Sequence, residues 1–285
     1  IQKKRNDMIN KKGQITVFII LSLIIILIII STIVYTNINL KDSTQISFNQ
    51  QTNILVDEFK KCLEDTYKES INEVSFQGGY FYEPLTEYLK NDLNSIPFYY
   101  FGELEYIPEP ELIEEQIIAS IDSKKGVCLN LINSSGLNYE YYYELPNVSI
   151  NDSIIEIKEK LKLILTKENL TNVFDLNELI KIKSNLLEMN SFSSYITYSY
   201  ELNNESICLS CFQEIALDKN LIVEIDDSIE NILIITITET KENYYPRFYN
   251  FALSATKELG EEVSIPEDSF KIQDTTNELN FSIQS

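Results

Sequence analysis

The sequence predicts an α+β protein: an N-terminal transmembrane helix continuing into a helical stalk, then a mixed domain with short helices and antiparallel β-strands. Three observations carry this expectation. Ile15 to Tyr35 (ITVFIILSLIIILIIISTIVY) is about 21 residues without a charge, enough to cross a bilayer as one helix. Leu55, Phe59, Leu63, Tyr67, Ile71 and Val74 recur at helical spacing. From Asn220, LIVEI and ILIITITET have the composition of strands, separated by a turn around Asp226 to Asn231.

The elements follow in order. Lys3, Lys4, Arg5, Lys11 and Lys12 stand before the apolar run against the single acid Asp7. The positive-inside bias therefore predicts a cytoplasmic basic tip over 1–14 and a transmembrane helix over 15–36, with the rest of the chain outside. No small-residue cleavage site of a secretory signal follows the run, so a retained anchor is expected. The stalk is assigned to 37–77, because Gln77-Gly78-Gly79 should end the helix: paired glycines accept positive φ. From Ile15 to Phe76 an unbroken helix would be roughly 90 Å long, but Asn37, Asn39, Asp42, Ser43 and Thr44 favour two helical segments in rough continuity, with that polar region as the weak joint. An extracytoplasmic α+β domain is then assigned to 78–257, divisible near 183/184 into subdomains over 78–183 and 184–257. An acidic mobile tail is assigned to 258–285.

Within the domain, Glu83-Pro84 and Ile96-Pro97 punctuate a short helix expected near Leu85 to Leu93. Pro110 suits a first helical position, Glu111, Glu114 and Glu115 suit a first turn, and the helix should end near Lys124-Lys125-Gly126. Ile155, Ile157, Leu161, Leu163 and Leu165 alternate with mostly charged residues, which is strand patterning. Asn169 to Asn172 is the expected turn, and Phe174, Leu176, Ile180 and Ile182 the returning strand. Leu186 to Tyr200 favours helix. LIVEI, ILIITITET and Arg247 to Ala255 predict three antiparallel strands.

Composition narrows function. Hydrophobic content of 44% and charged content of 24% suit a folded domain, and the net charge is −21. Such a surface repels phosphate backbones, so nucleic acid is excluded as a partner. The aromatic clusters Tyr80-Phe81-Tyr82, Phe98-Tyr99-Tyr100-Phe101, Tyr141-Tyr142-Tyr143 and Tyr244-Tyr245 fit structural packing. With no histidine, the chain has no Ser-His-Asp triad, Cys-His pair or His-ligated zinc. No nucleotide-binding glycine motif and no calcium loop occurs. The expectation is that the protein is not an enzyme, with no catalytic residue, no cofactor and no metal.

The pointed residues are Cys62, Cys128, Cys208 and Cys211. An even number of cysteines outside the cell suggests two disulfides, and the expected pairs are Cys62 with Cys128 and Cys208 with Cys211. A redox-active Cys-x-x-Cys and a four-cysteine zinc site are the alternatives. N-x-[ST] glycosylation candidates are Asn133, Asn147, Asn151, Asn169, Asn204 and Asn280, weak ones in a chain so rich in Asn, Ser and Thr.

Lys11-Lys12-Gly13-Gln14, followed at once by the apolar run, resembles the class III signal peptides of archaeal type IV pilin-like proteins. That resemblance implies processing after Gly13 and an apolar helix that forms the core of a filament. The family usually has Glu at the fifth position after cleavage, and here it is Phe18. KKGQITVFII, CLEDT, FQGGYF and ICLSC together also resemble uncharacterised single-pass archaeal envelope proteins. The leading expectation is a single-pass, membrane-anchored surface protein whose acidic outer domain binds or scaffolds envelope partners. Its partners would be the lipid bilayer and envelope proteins or further copies of itself. The alternatives are a pilin-like structural subunit processed after Gly13 and, behind it, a thiol-disulfide oxidoreductase.

Overall fold

The computed structural model describes residues 2–84, 87–90, 95–203, 205–239 and 247–255; for 2–22 and 33–44 it describes the backbone alone. The elements in chain order are α1 (Gln2–Phe76), β1 (Tyr88–Lys90), β2 (Ser95–Phe101), β3 (Leu104–Glu105), α2 (Pro110–Ser134), β4 (Asn138–Asn151), β5 (Ile154–Lys167), β6 (Leu170–Leu176), β7 (Leu179–Lys183), α3 (Leu186–Leu202), α4 (Leu209–Asp218), β8 (Leu221–Ile229), β9 (Ile232–Glu239) and β10 (Phe248–Ser254).

These elements correct the expected fold class in its first part. Among the described residues, no helix is long and apolar enough to cross a membrane. Of the stretch 15–36, side chains are described only for 23–32, about half of the roughly 20 residues a crossing needs. The weak joint expected at 37–44 is a further correction, because the backbone of α1 is helical without a break from Gln2 to Phe76. Nor is 37–77 a free stalk. From Phe48 the helix is part of the core, because Phe48, Leu55, Val56, Phe59, Leu63, Tyr67, Ile71 and Val74 form one buried stripe. The expected tail over 258–285 lies outside the described residues.

Two sheets sandwich this helix. The larger runs β1-β2-β10-β9-β8, with β3 also on β2; the smaller runs β4-β5-β6, with β7 on β5 beyond β6. α1 touches β10 of the larger sheet and β6 of the smaller, and α2 lies against both α1 and β4. One apolar cluster reaches from Phe48 to Leu253 through both sheets. β8, β9 and β10 are antiparallel, but β10 pairs in parallel with β2, Ala252 opposite Phe98. This parallel pair is a correction to the antiparallel expectation; it joins segments about 150 residues apart, beyond any local pattern.

Other boundaries shift for identifiable reasons. Within the helix expected near Leu85 to Leu93, Tyr88–Lys90 is instead strand β1, since it finds a hydrogen-bonding edge on β2; 85, 86 and 91–93 lie outside the described residues. α2 begins at Pro110 but runs through Gly126 to Ser134. A mid-helix glycine costs about 1 kcal/mol, and the continuing stripe Ile121, Cys128 and Ile132, all buried, outweighs it. The turn expected at Asn169 to Asn172 falls earlier, because β6 already begins at Leu170. β6 and β7 form a returning strand broken at Asn177-Glu178, where the Glu159 backbone N–H donates to the Glu178 carbonyl at 3.2 Å.

α1 ends at the paired glycines. Gly78 and Gly79 have φ of 56° and 86°, and the Gly79 N–H donates to the Val74 carbonyl at 2.8 Å. A Cβ on Gly78 would lie 2.4 Å from the Asn250 carbonyl oxygen, so this turn docks directly on β10. Gly78→Ala should therefore cost about 2 kcal/mol or more, from left-handed backbone strain and a backbone clash. Thermal melting of the variant checks this, and an unchanged midpoint would refute it.

Candidate functional site

The chemically distinctive groups of the domain gather where α1 enters it. Cys62 and Cys128 are bonded, with Cα atoms 5.7 Å apart, tying α1 to α2. Cys128 is fully buried, and Thr66 Oγ1 lies 3.5 Å from its Sγ. One turn further along, Lys124 of α2 bridges Glu69 and Glu73 of α1 at 2.8 and 3.0 Å, and Ser120 donates to Glu73 at 2.8 Å. Lys60 pairs with Glu178 at the break between β6 and β7. Helix periodicity places Cys62, Thr66, Glu69 and Glu73 along one side of α1, and that side meets α2.

Beneath this seam lies a buried acid. Glu159 sits on the inward face of β5 between Ile157 and Leu161, with 4% of its surface exposed. Tyr67 of α1, fully buried, donates its hydroxyl to Glu159 Oε2, while Oε1 and the Tyr143 hydroxyl have no protein partner. Burial pushes the Glu159 carboxyl above the usual carboxylate range; the Tyr67 hydrogen bond pulls it back, Glu178 adds to the rise and Lys125 opposes it. Lys125 lies 3.9 Å from the centre of the Tyr143 ring and pairs with Asp122. Burial, followed by the charge of Glu159, raises the Tyr67 phenol far above its ordinary range. The pair is closed to substrate, and it joins helix α1 to strand β5 through one buried hydrogen bond.

Two further polar knots hold the far end of α1. Tyr249 donates to Asn190 Oδ1 at 2.8 Å, the Tyr99 and Tyr249 hydroxyls lie 2.5 Å apart, and Tyr99 donates to the Gly78 carbonyl at 3.0 Å. Arg247 donates to Asn72 Oδ1 at 3.0 Å and to the Lys183 carbonyl at 2.9 Å, with Glu239 Oε2 3.7 Å away; both members of the ion pair are buried. Sequence reasoning placed Tyr67 in the helical stripe, Tyr99 in an aromatic cluster and Arg247 in a strand but missed their polar roles, and it did not single out Glu159, Asn190 or Glu239. Glu159 carried a signal, being the one acid in register with an otherwise apolar face. So did Arg247, one of only two arginines in a lysine-rich chain.

Other predicted residues are scattered. Cys208 and Cys211 are bonded to each other, both exposed, where α4 begins. Asn133, Asn147, Asn151 and Asn169 are exposed, with Asn151 and Asn169 at hairpin turns; Asn204 and Asn280 lie outside the described residues. Lys11, Lys12, Gly13 and Gln14 belong to α1, and their side chains lie outside the described residues. Among the described residues no group of three or more Cys, Asp or Glu is placed to hold a metal. A cleft of about 380 Å³ opens between α3 and α4, lined by Phe192, Tyr195 and Ile215, with Glu188 and Lys219 paired at its rim. Comparison with protein-family models, with curated proteins and with solved structures found no match.

The two disulfides differ in what they restrain. Closing a loop over a separation of 66 residues removes enough chain entropy for about 4 kcal/mol, whereas a separation of 3 gives only about 2. Cys62→Ala with Cys128→Ala should lower the melting temperature by roughly 10 °C, and calorimetry of the purified protein decides it; a fall of under 2 °C would refute the clamp. The acid has a definite sign. Because the folded Glu159 carboxyl is raised above its unfolded value, its stabilising contribution is full below the ordinary glutamate range. It is lost as pH rises through the folded value. Glu159→Gln, which cannot ionise and still accepts from Tyr67, should gain on the wild type with rising pH above about 4.5, by at most about 1.4 kcal/mol per pH unit. Denaturant unfolding of both proteins at several pH values measures this, and a stability difference that stays constant with pH would sink it.

Proposed function

We propose that the chain is an extracytoplasmic protein of the cell envelope whose acidic α+β domain binds or scaffolds envelope partners. The observation that carries this reading is the coupling of two features within α1. Leu23 to Ile30 are consecutive large apolar residues, each 49–65% exposed. A surface of that kind attaches to something apolar, either lipid or protein. From Phe48 the same helix is built into the domain and clamped by Cys62–Cys128. Attachment at one end of α1 therefore sets the position of the whole domain. The disulfides favour an oxidising exterior, and a net charge of −21 favours a solvated outer surface that selects partners by charge.

A second reading, a pilin-like structural subunit processed after Gly13, is favoured by one observation: α1 is a single helix from Gln2 to Phe76, with the apolar stretch and the embedded half in one rod. Copies joined along Leu23–Ile30 would then array their acidic domains around a common core. Two measurements test these readings. Protease added to intact cells should remove the domain, and a domain degraded only after lysis would overturn the extracytoplasmic placement. Mass spectrometry of the native N-terminus should find Gln14 first if the subunit reading holds; peptides spanning Gly13-Gln14 in the mature protein exclude it.

A further inference from the structure

The bridge between Cys208 and Cys211 staples no two elements together. Cys208 is the N-cap of α4 and Cys211 lies in its first turn, where the Phe212 N–H already donates to the Cys208 carbonyl at 3.2 Å. The helix holds this turn with or without the sulfur bond. Both cysteines are exposed, whereas Cys128 of the other bridge has no exposed surface. A bond so placed is open to attack and ties no distant parts of the fold together.

The surroundings favour its reduced form. No side chain caps α4, and its first turn contains no acid. The unpaired N–H groups of that turn carry the positive end of the helix dipole, which stabilises an anion. A Cys208 thiolate at the N-cap position supplies that anion; the Ser210 hydroxyl, 3.7 Å from the Cys208 sulfur, is a further donor within reach. Glu205 and Glu214 flank this site in sequence, but neither belongs to the first turn. Stabilising the thiolate makes Cys208 a better leaving group and the disulfide a stronger oxidant.

We propose that Cys208–Cys211 is a thiol–disulfide exchange site that oxidises the dithiol of a client protein in the same compartment. This goes beyond scaffolding and requires no particular mode of attachment. A client thiolate attacks Cys208 Sγ, forming a mixed disulfide as the Cys208–Cys211 bond breaks and Cys211 leaves as a thiolate. The second client thiolate then attacks the client sulfur of the mixed disulfide and expels the Cys208 thiolate. The client loses two electrons and two protons to become a disulfide, and the cysteine pair gains both. Exposed Leu209, beside Cys208, offers an apolar contact to a client chain.

The test equilibrates the oxidised full-length protein in graded glutathione buffers, traps thiols with an alkylating agent and maps the peptides. Cys208–Cys211 should be half reduced at a ratio of [GSH]² to [GSSG] at least tenfold below that needed for Cys62–Cys128. The near-ultraviolet circular dichroism should be unchanged at that point. Cys211→Ser should accumulate glutathione on Cys208, and the double variant Cys208→Ser with Cys211→Ser should melt within a few degrees of the wild type. Reduction of both bridges together, reduction of Cys62–Cys128 first, or loss of tertiary structure when Cys208–Cys211 opens would each overturn the proposal. Such results would leave the protease and N-terminal measurements unaffected.

Discussion

The burial of the second half of α1 is the constraint on which the rest of the structure depends. Tyr67, Ile71 and Val74 have no exposed surface, and each fully buried side chain of this size is worth about 1.5–3 kcal/mol. That apolar stripe selects the position of the helix, and directional bonds then fix its rotation. Ser75 donates to the Phe248 carbonyl at 3.0 Å, and Asn250 donates to the Phe76 carbonyl at 2.7 Å. With Cys62 bonded to Cys128 of α2, Tyr67 to Glu159 of β5 and Asn72 to Arg247 beside β10, α2 and both sheets are bonded to one rod.

Charge acts at two levels. The many surface ion pairs, such as Lys160 with Glu144 and Lys181 with Glu156, lie in solvent and contribute little each. The buried groups differ. Glu159 accepts from a phenol, and Glu239 sits opposite an arginine that also holds Asn72 and a backbone carbonyl. Removing one partner from such sites strands a polar atom in an apolar surround, so these few contacts specify the packing more than the pairs outside. An abundance of acid keeps the surface solvated while the interior uses acids sparingly and by position.

The two disulfides show how one chemistry serves two ends. The bridge across a long loop joins two helices and is shielded; the bridge within one helical turn is exposed and joins nothing distant. Loop length and exposure separate a staple from an exchangeable bond, and both properties follow from where the helices place the four sulfurs. The α3–α4 pair that carries the exposed bridge packs through Phe192, Tyr195 and Phe212, so that corner is held by aromatic contact.

Local pattern was legible wherever one face of an element repeats. The alternation from Ile155 to Leu165, the helical stripe from Leu55 to Val74, the stop at Gly78-Gly79 and the start at Pro110 all depend on neighbours within a few residues. The apolar run was equally visible as sequence, yet as a membrane-crossing helix it has no counterpart among the described residues. Tertiary structure decided what local pattern cannot carry: the strand at Tyr88–Lys90, the continuation of α2 past Gly126, and the parallel pairing of β10 with β2. It also decided the site. Glu159 is 92 residues from Tyr67, and Arg247 is 175 from Asn72. The sequence by itself determined which faces are apolar, because periodicity is a property of adjacent residues; which faces meet, and which polar groups are trapped between them, is settled only when distant segments compete for the same core.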